Sequence, residues 1–408
     1  MNQKYCVVVG IDISKGKSTV AAKGFGGEIL LQPFEVQHNK EALEALIKVL
    51  NGLQGEVRVV MEHTANYWRP VASMLQSAGY FISVVNAILI HDYKDNSLRR
   101  VKTDRADSLK IASYGLAYWD DLKAQTPDDA ARSVLRNLSR LYERLIVTSG
   151  VMRNGLIAVL DQSFPGVNTL FVNHITTKSG HFKWVDFVRR FYHARSVCGI
   201  SKNAFDESYR KWCGRTGYHY FYADVDKIYT FAKQCVPVLP KDSSTKELIV
   251  RAVDGVNAVL DTLQSVREEM CQVASTLPEY PVVMDMYGVG PVMAPLLIAE
   301  IGDVRRFHSK KALVAYAGLD APPYQSGTFE AKTRHISKRG SAHLRRALFM
   351  IMRVIHQHEN PESAIWSFMN KKRSEGKHFY IYMTAACAKF LRIYYARVTE
   401  YMKLQEIA

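Results

Sequence analysis

Four carboxylates stand out by type and place. Asp12 closes a β-branched run in GIDISK, Glu62 closes another in VVMEHT, and Asp104 and Asp107 lie together in KTDRADSLKIAS. Residues three apart share a helix face, so Asp104 and Asp107 project together if a helix starts after Thr103, a candidate N-cap. Two carboxylates from adjacent strand ends and two from a nearby helix make a hard-oxygen pocket suited to Mg²⁺. Such a pocket has room for two ions roughly 3.5–4 Å apart, able to clamp the attacking and leaving oxygens of a phosphodiester. Four like charges repel, so a bound cation or raised pKa values must offset them. Taken singly, each acid has a plainer reading: Asp12 as a strand-end turn residue, Asp104 as a partner of a helix dipole. Arg99, Arg100, Lys102 and Arg105 follow closely in the chain and are suited to meeting phosphates.

A second constellation is AYAGLDAPPYQSGTFEAKTRHISKRGSAHLRR. Pro322 and Pro323 stop any helix, and Gln325-Ser326-Gly327 is turn chemistry, which would expose the Ser326 hydroxyl. Serine is a weak nucleophile and needs a base or strong positive potential to attack phosphorus. Lys332, Arg334, Lys338 and Arg339 offer that potential, with Arg345 and Arg346 just beyond. On the residues alone, the same stretch also reads as a flexible basic loop touching a DNA backbone, with Ser326 as a turn former. Tyr316 and Tyr324 compete as nucleophiles by type, and Ser337 and Ser341 by location. Upstream, EYPVVMDMYGVGPVMAPLLIAEIG has the pattern of a helix-hairpin-helix, in which Gly288 and Gly290 present backbone N–H groups to a phosphate. An ordinary αα-hairpin fits the same residues.

These groups need elements to hold them. Tyr5–Asp12, Glu28–Val36, Val57–Glu62 and Tyr80–Val85 read as strands, and Lys40–Leu50 and Tyr67–Ala78 as helices, which predicts a mixed α/β sheet covered on both faces. From Pro127 the pattern becomes helical. Leu135, Leu138, Tyr142, Leu145, Met152 and Leu156 recur at helical spacing, and Ile249, Val253, Val256, Leu260, Leu263, Met270 and Leu277 step largely by four and three. Two long helices packed as an antiparallel coiled coil are expected, a plain bundle being the alternative. Between them, about 163–245 is aromatic-rich and holds His174, His181, His193 and His219 with Cys198, Cys213 and Cys235. Their spacing fits no standard metal pattern, and a small inserted subdomain is expected. The predicted division is 1–122, 123–278 and 279–408.

Composition narrows the class. The chain has 408 residues and a net charge of +15, 54 basic against 39 acidic. An excess of that size attracts polyanions, nucleic acid first among those inside cells. No apolar run approaches the ~20 residues that span a bilayer. The N-terminal apolar stretch lacks a secretory cleavage pattern, and six scattered cysteines without a C-x-x-C pair suggest free thiols. A cytoplasmic protein without a membrane partner is expected.

Taken in order, GIDISK, Glu62, KTDRADS, GVGPVMAPLLIAEIGD, YAGLDAPPYQSG and ISKRGSAHLRRAL resemble the DEDD insertion-sequence transposases, the IS-one-ten family with the Piv and MooV invertases. The likeness covers about the first 120 and last 130 residues. It implies a RuvC-like, RNase H-fold N-terminal domain, a coiled-coil middle and a mostly α-helical C-terminal transposase domain. By motif, Asp12, Glu62, Asp104 and Asp107 would bind Mg²⁺, and Ser326 would form a covalent phosphoserine link to DNA. The family further implies a noncoding bridge RNA pairing with donor and target DNA. It also implies a tetramer, a dimer of dimers, in which acidic and serine domains of different subunits meet. One departure is Ser108, where the family motif carries alanine. Two other classes remain: a junction-resolvase-like nuclease using water, and a non-enzymatic architectural DNA binder.

Overall fold

A computed structural model describes residues 5–63, 66–93, 103–125, 129–171, 180–322, 325–326, 329–330 and 335–407. They fall into two units, 1–128 and 129–408.

The first unit is built on a five-stranded sheet of order β3-β2-β1-β4-β5. Its strands are β1 (Cys6–Ile13), β2 (Lys17–Gly24), β3 (Ile29–Gln37), β4 (Glu56–Glu62) and β5 (Phe81–Val85). β1 pairs antiparallel with β2 and parallel with β4. A central strand covered on both faces should be apolar throughout, and CVVVGIDI nearly is. Val7, Val9, Ile11 and Ile13 face one core with Leu43, Leu46 and Leu50 of α1 (Lys40–Asn51) and Val71 and Leu75 of α2 (Trp68–Ser77). Val8 and Val60 face the other, with Ile90 of α3 (Ala87–Asp92) and Ile111, Ala112 and Tyr114 of α4 (Asp104–Ala117). Strand β2 has no counterpart in the predicted set; the other strands and both helices lie within a residue or so of their expected bounds.

The second unit is helical. α5 (Ala130–Ser163) starts at Asp129, whose carboxylate accepts from the Ala131 amide. The insertion follows as α6 (Lys183–Arg190), α7 (Arg195–Cys198), α8 (Lys202–Thr216) and α9 (Tyr222–Gln234), and α10 (Ser243–Ser275) then returns. Leu135 and Tyr142 share a core with Val266, Met270 and Leu277, whereas Leu156 and Leu160 share one with Ile249, Val253 and Val256. α5 and α10 therefore run antiparallel, over about 50 Å at 1.5 Å per residue. The insertion closes on aromatic rings centred on Phe187, which meets Phe171, Phe191, Tyr209 and Trp212. Two of its histidines have protein partners: His181 lies between Asp186 and Asp261, and His193 meets the Leu239 carbonyl. His174 lies outside the described residues.

The remaining helices are α11 (Tyr280–Met284), α12 (Met293–Ile301), α13 (Lys310–Tyr316), α14 (Ala342–His358), α15 (Ala364–Ser374) and α16 (Phe379–Ile407), with a short pair β6 (Gln325–Ser326) and β7 (Phe329–Glu330). α12 is buried on every side, from Ala294 to Ile301. A buried ion pair of Arg132 with Glu279, Nη2 to Oε2 at 2.9 Å, ties α5 to the start of this region.

Candidate active site

In the first unit the strand register brings the acids together. Ile11 pairs with Met61 in the parallel β1–β4 ladder, so Asp12 and Glu62 follow side by side at two adjacent strand ends. Side chains alternate along a strand, and Asp12 and Glu62 therefore share the face of Val8 and Val60, the one covered by α4. The helix comes very close there because β1 carries Gly10. A Cβ at Gly10 would stand 2.2 Å from the Ser108 carbonyl oxygen and 2.5 Å from the Ala112 nitrogen, both backbone atoms. Thr103 caps α4 as expected, its hydroxyl accepting from the Ala106 amide at 3.2 Å. The first turn then carries Asp104, Arg105 and Asp107, with Asp104 and Arg105 exposed and Asp107 half-buried. Ser108, the departure from the family motif, is buried and donates its hydroxyl to the Arg105 carbonyl at 3.0 Å.

The electrostatics follow from this placement. Burial first, and then the charges of Asp104, Asp107 and Glu62, push the Asp12 carboxyl up to about 6. Its neighbours are thus near enough to be felt. Among the described residues, no three His, Cys, Asp or Glu side chains are gathered closely enough to hold a metal ion as they stand. The donor set nonetheless suits a hard divalent cation: all oxygen, mutually repulsive, with its innermost member resisting ionisation. Arg99, Arg100 and Lys102 lie outside the described residues.

In the second unit, Ser326 lies in β6, its backbone paired with Phe329 of β7. The segments flanking this pair are stitched to each other. Ser337 donates its amide to the Asp320 carbonyl at 2.8 Å and its hydroxyl to the Asp320 carboxylate. The Lys338 amide donates to Gly318 and the Ser341 amide to Tyr316, at 3.1 and 2.9 Å. Lys338 holds φ 54, a conformation disfavoured for a residue with a Cβ, and surrounding bonds must enforce it. Arg345 is half-buried and donates Nη1 to the Ala317 and Gly340 carbonyls at 2.9 and 3.1 Å, so it braces the stitch. Lys338, Arg339 and Arg346 are exposed beside it; Lys332 and Arg334 lie outside the described residues.

Beneath the stitch is a carboxylate that the sequence reading passed over. Glu300 is 3% exposed in an otherwise apolar helix, and that solitary acid in MAPLLIAEI was the signal available. It pairs with Arg140 at 2.9 Å and accepts the Ser341 hydroxyl at 2.7 Å, while its backbone carbonyl accepts the Tyr316 hydroxyl at 3.2 Å. Three of the four competing nucleophiles, Tyr316, Ser337 and Ser341, are therefore bonded to the scaffold; Tyr324 lies outside the described residues. Gly288 turns between α11 and α12 at φ 81, and a Cβ there would stand 2.4 Å from Ile355, so α14 packs directly against it. A Cβ at Gly290 would meet open space.

Comparison with known proteins adds to this geometry. A transposase family model matches residues 9–165, and the model described as "Transposase IS116/IS110/IS902 family" matches residues 280–366. The first span holds Asp12, Glu62, Asp104 and Asp107, the second Ser326. The pilin gene-inverting protein of Moraxella bovis is 24% identical over 344 residues, 84% of this chain and 80% of that one. The "Insertion element IS110 uncharacterized 43.6 kDa protein" of Streptomyces coelicolor is 20% identical over 375 residues, 91% and 88% of the two chains. Among solved structures, Thermus thermophilus RuvC in complex with a Holliday junction substrate covers 29% of this chain and 98% of its own, at 16% identity and a TM-score of 0.23. The protein is a DNA recombinase or transposase. It belongs to the DEDD insertion-sequence transposase family, which implies DNA as a partner. Among the described residues, no helix is long and apolar enough to cross a membrane.

Proposed function

We propose that this protein excises and inserts a mobile DNA element by way of a serine nucleophile, Ser326, with Asp12, Glu62, Asp104 and Asp107 binding Mg²⁺. The observation that carries the reading is the joint presence of a repelling acidic cluster on one strand-end face and a braced, cation-rimmed hairpin bearing a serine. The binding of Tyr316, Ser337 and Ser341 into the scaffold supports Ser326 as the hydroxyl left for chemistry.

In the reaction, Ser326 Oγ forms a bond to phosphorus and gives up its proton, and the P–O bond to the departing strand breaks, its oxygen taking a proton. The phosphoserine diester conserves the bond for rejoining to a new strand. Mg²⁺, when bound, polarises the scissile phosphate and stabilises the charge that builds on it. Lys338, Arg339 and Arg346, together with Lys332, Arg334 and the Arg99–Arg105 stretch, hold the DNA backbone without reading its sequence. Residues 1–122 serve as the metal domain and 279–408 as the serine domain. The α5–α10 pair serves as a coiled-coil spacer between them in sequence, and the Gly288 turn as a helix-hairpin-helix against phosphate. Target choice comes from a bridge RNA pairing with donor and target DNA, and the working particle is a tetramer.

The test is a denaturing gel of labelled DNA trapped during reaction. A covalent protein–DNA adduct is expected with the native chain and none with Ser326→Ala. Cut ends without attached protein would instead favour a metal-dependent nuclease that activates water. Sequencing RNA that co-purifies from the native cell tests guidance, and a defined RNA encoded beside the gene is expected.

A further inference from the structure

The corner where α14, α15 and α16 meet carries a chemistry that strand cleavage leaves unused. A cavity of about 180 Å³ opens there between His356 and Glu359 at the end of α14, Trp366, Asn370 and Arg373 of α15, and Tyr382 of α16. The His356 and Tyr382 rings lie 15° from parallel at 6.0 Å, and His356 Nε2 meets the Tyr382 hydroxyl at 3.1 Å. Phe379 packs edge-on against both rings and continues the aromatic surface to Tyr380. Tyr380 stacks on Phe349 at 6.2 Å and on His378 at 6.1 Å, yet it is 63% exposed, and Ile381 beside it is 57% exposed. Tyr382 and Phe349 belong to or pack on the core, but Phe379 and Tyr380 extend the run of rings into water, where they serve no core.

Charge indicates what covers it. The last turn of α15 and its connection to α16 carry Lys371, Lys372, Arg373 and Lys377 against one acid, Glu375, which pairs with Lys372 at 2.6 Å. An apolar peptide would leave those cations unanswered. Aromatic platforms edged with Lys and Arg suit single-stranded nucleic acid, whose bases stack while its phosphates meet the charges. The cavity then supplies what a splayed base needs. Its lining combines the rings of Trp366, Tyr382 and His356 with a carboxylate acceptor, Glu359, and the donors Asn370 and Arg373, groups that match the faces, N–H groups and carbonyls of a base. Glu359 holds φ 42, in the left-handed region where strain collects at working sites. A duplex hides its base faces inside the stack and cannot use these groups.

We propose that this corner binds single-stranded nucleic acid, stacking one base on Tyr380 and taking a neighbouring unpaired base into the cavity. The proposal rests on the reading above only in that the protein meets nucleic acid. Its test reads binding, so the serine assignment can fail without moving it, and binding can fail while covalent adducts still form.

The experiment is fluorescence anisotropy of the full-length chain with labelled oligothymidine, oligouridine and a duplex of equal length. Tyr380→Ala and Trp366→Ala should each weaken single-strand binding about fivefold or more and leave duplex binding unchanged; Tyr380→Ala should also keep the native melting curve, whereas Trp366→Ala, which truncates a ring packed on the core, should lower it. Tyr380→Phe, which keeps the ring, should bind as the native chain does. The tighter of the two single strands identifies DNA or RNA as the source. Native single-strand affinity in both alanine variants, or equal losses for single strand and duplex, would overturn the proposal. If the alanine variants fail to fold, photo-cross-linking of thio-substituted oligonucleotides to the native chain decides. Adducts on Tyr380 or Trp366 support the site, and adducts confined elsewhere overturn it.

Discussion

Replacing Asp12 with asparagine should make the metal-free first unit more stable at neutral pH while abolishing strand cleavage. In the folded chain Asp12 titrates at about 6 against an ordinary value of 3.8, raised by burial and by Asp104, Asp107 and Glu62. A folded group that holds its proton more tightly than the unfolded one stabilises the fold while it stays protonated. That contribution is complete below pH 3.8 and is lost as pH rises through about 6. The difference of about 2 units corresponds to roughly 3 kcal/mol. Asp12 is partly open to water, and screening reduces this to about 1–2 kcal/mol. Asparagine keeps the shape and removes the charge, so the gain should appear above pH 6 and vanish near pH 4. Hydrogen exchange of peptides from β1 and α4 in chelator reads this unit alone, which whole-chain melting of two units would blur. Adding Mg²⁺ should slow exchange in the native chain and do little in the variant. Faster exchange in Asp12→Asn at pH 8, or a pH-independent difference, would refute the account of a frustrated, cation-seeking cluster.

Other outcomes follow from particular contacts. Gly10→Ala should destabilise the first unit by about 1–3 kcal/mol or more and depress Mg²⁺-dependent cleavage with it, because its Cβ meets backbone atoms of α4 that cannot swing aside; hydrogen exchange of β1 and α4 peptides and a cleavage assay check both. Ser337→Ala loses one of two bonds to Asp320, so adduct formation should slow by about fivefold yet persist, in contrast to its absence in Ser326→Ala. Arg132→Met leaves Glu279 buried without its partner and should cost the second unit about 3–5 kcal/mol, read from its urea midpoint.

How far the sequence could be read depended on how local each cause was. The strand ends at Asp12 and Glu62, the Thr103 cap and the helical spacing of Leu135–Leu156 and Ile249–Leu277 depend on neighbours within a few residues, and they emerge where expected. β2 escaped notice because KSTVAAKG has neither aromatic residues nor clean alternation; its strand form comes from pairing with β1 and β3. Glu300, a solitary acid in an apolar helix, is accounted for only by Arg140, 160 residues away in sequence, which pairs with it. Arg345 was expected on phosphate, but its guanidinium is half-buried against the Ala317 and Gly340 carbonyls.

By itself the sequence determined which side chains were chemically suited to the work: oxygen donors for a hard cation, a hydroxyl in a basic field, and a charge of +15 that favours polyanions. Folding alone decided which of them are neighbours. That Asp12 and Glu62 share one face with α4 depends on a parallel register and on a glycine that admits a helix backbone to contact distance. Which of several hydroxyls are tied down depends on partners far along the chain. Both are long-range consequences of packing, where no local pattern carries the information.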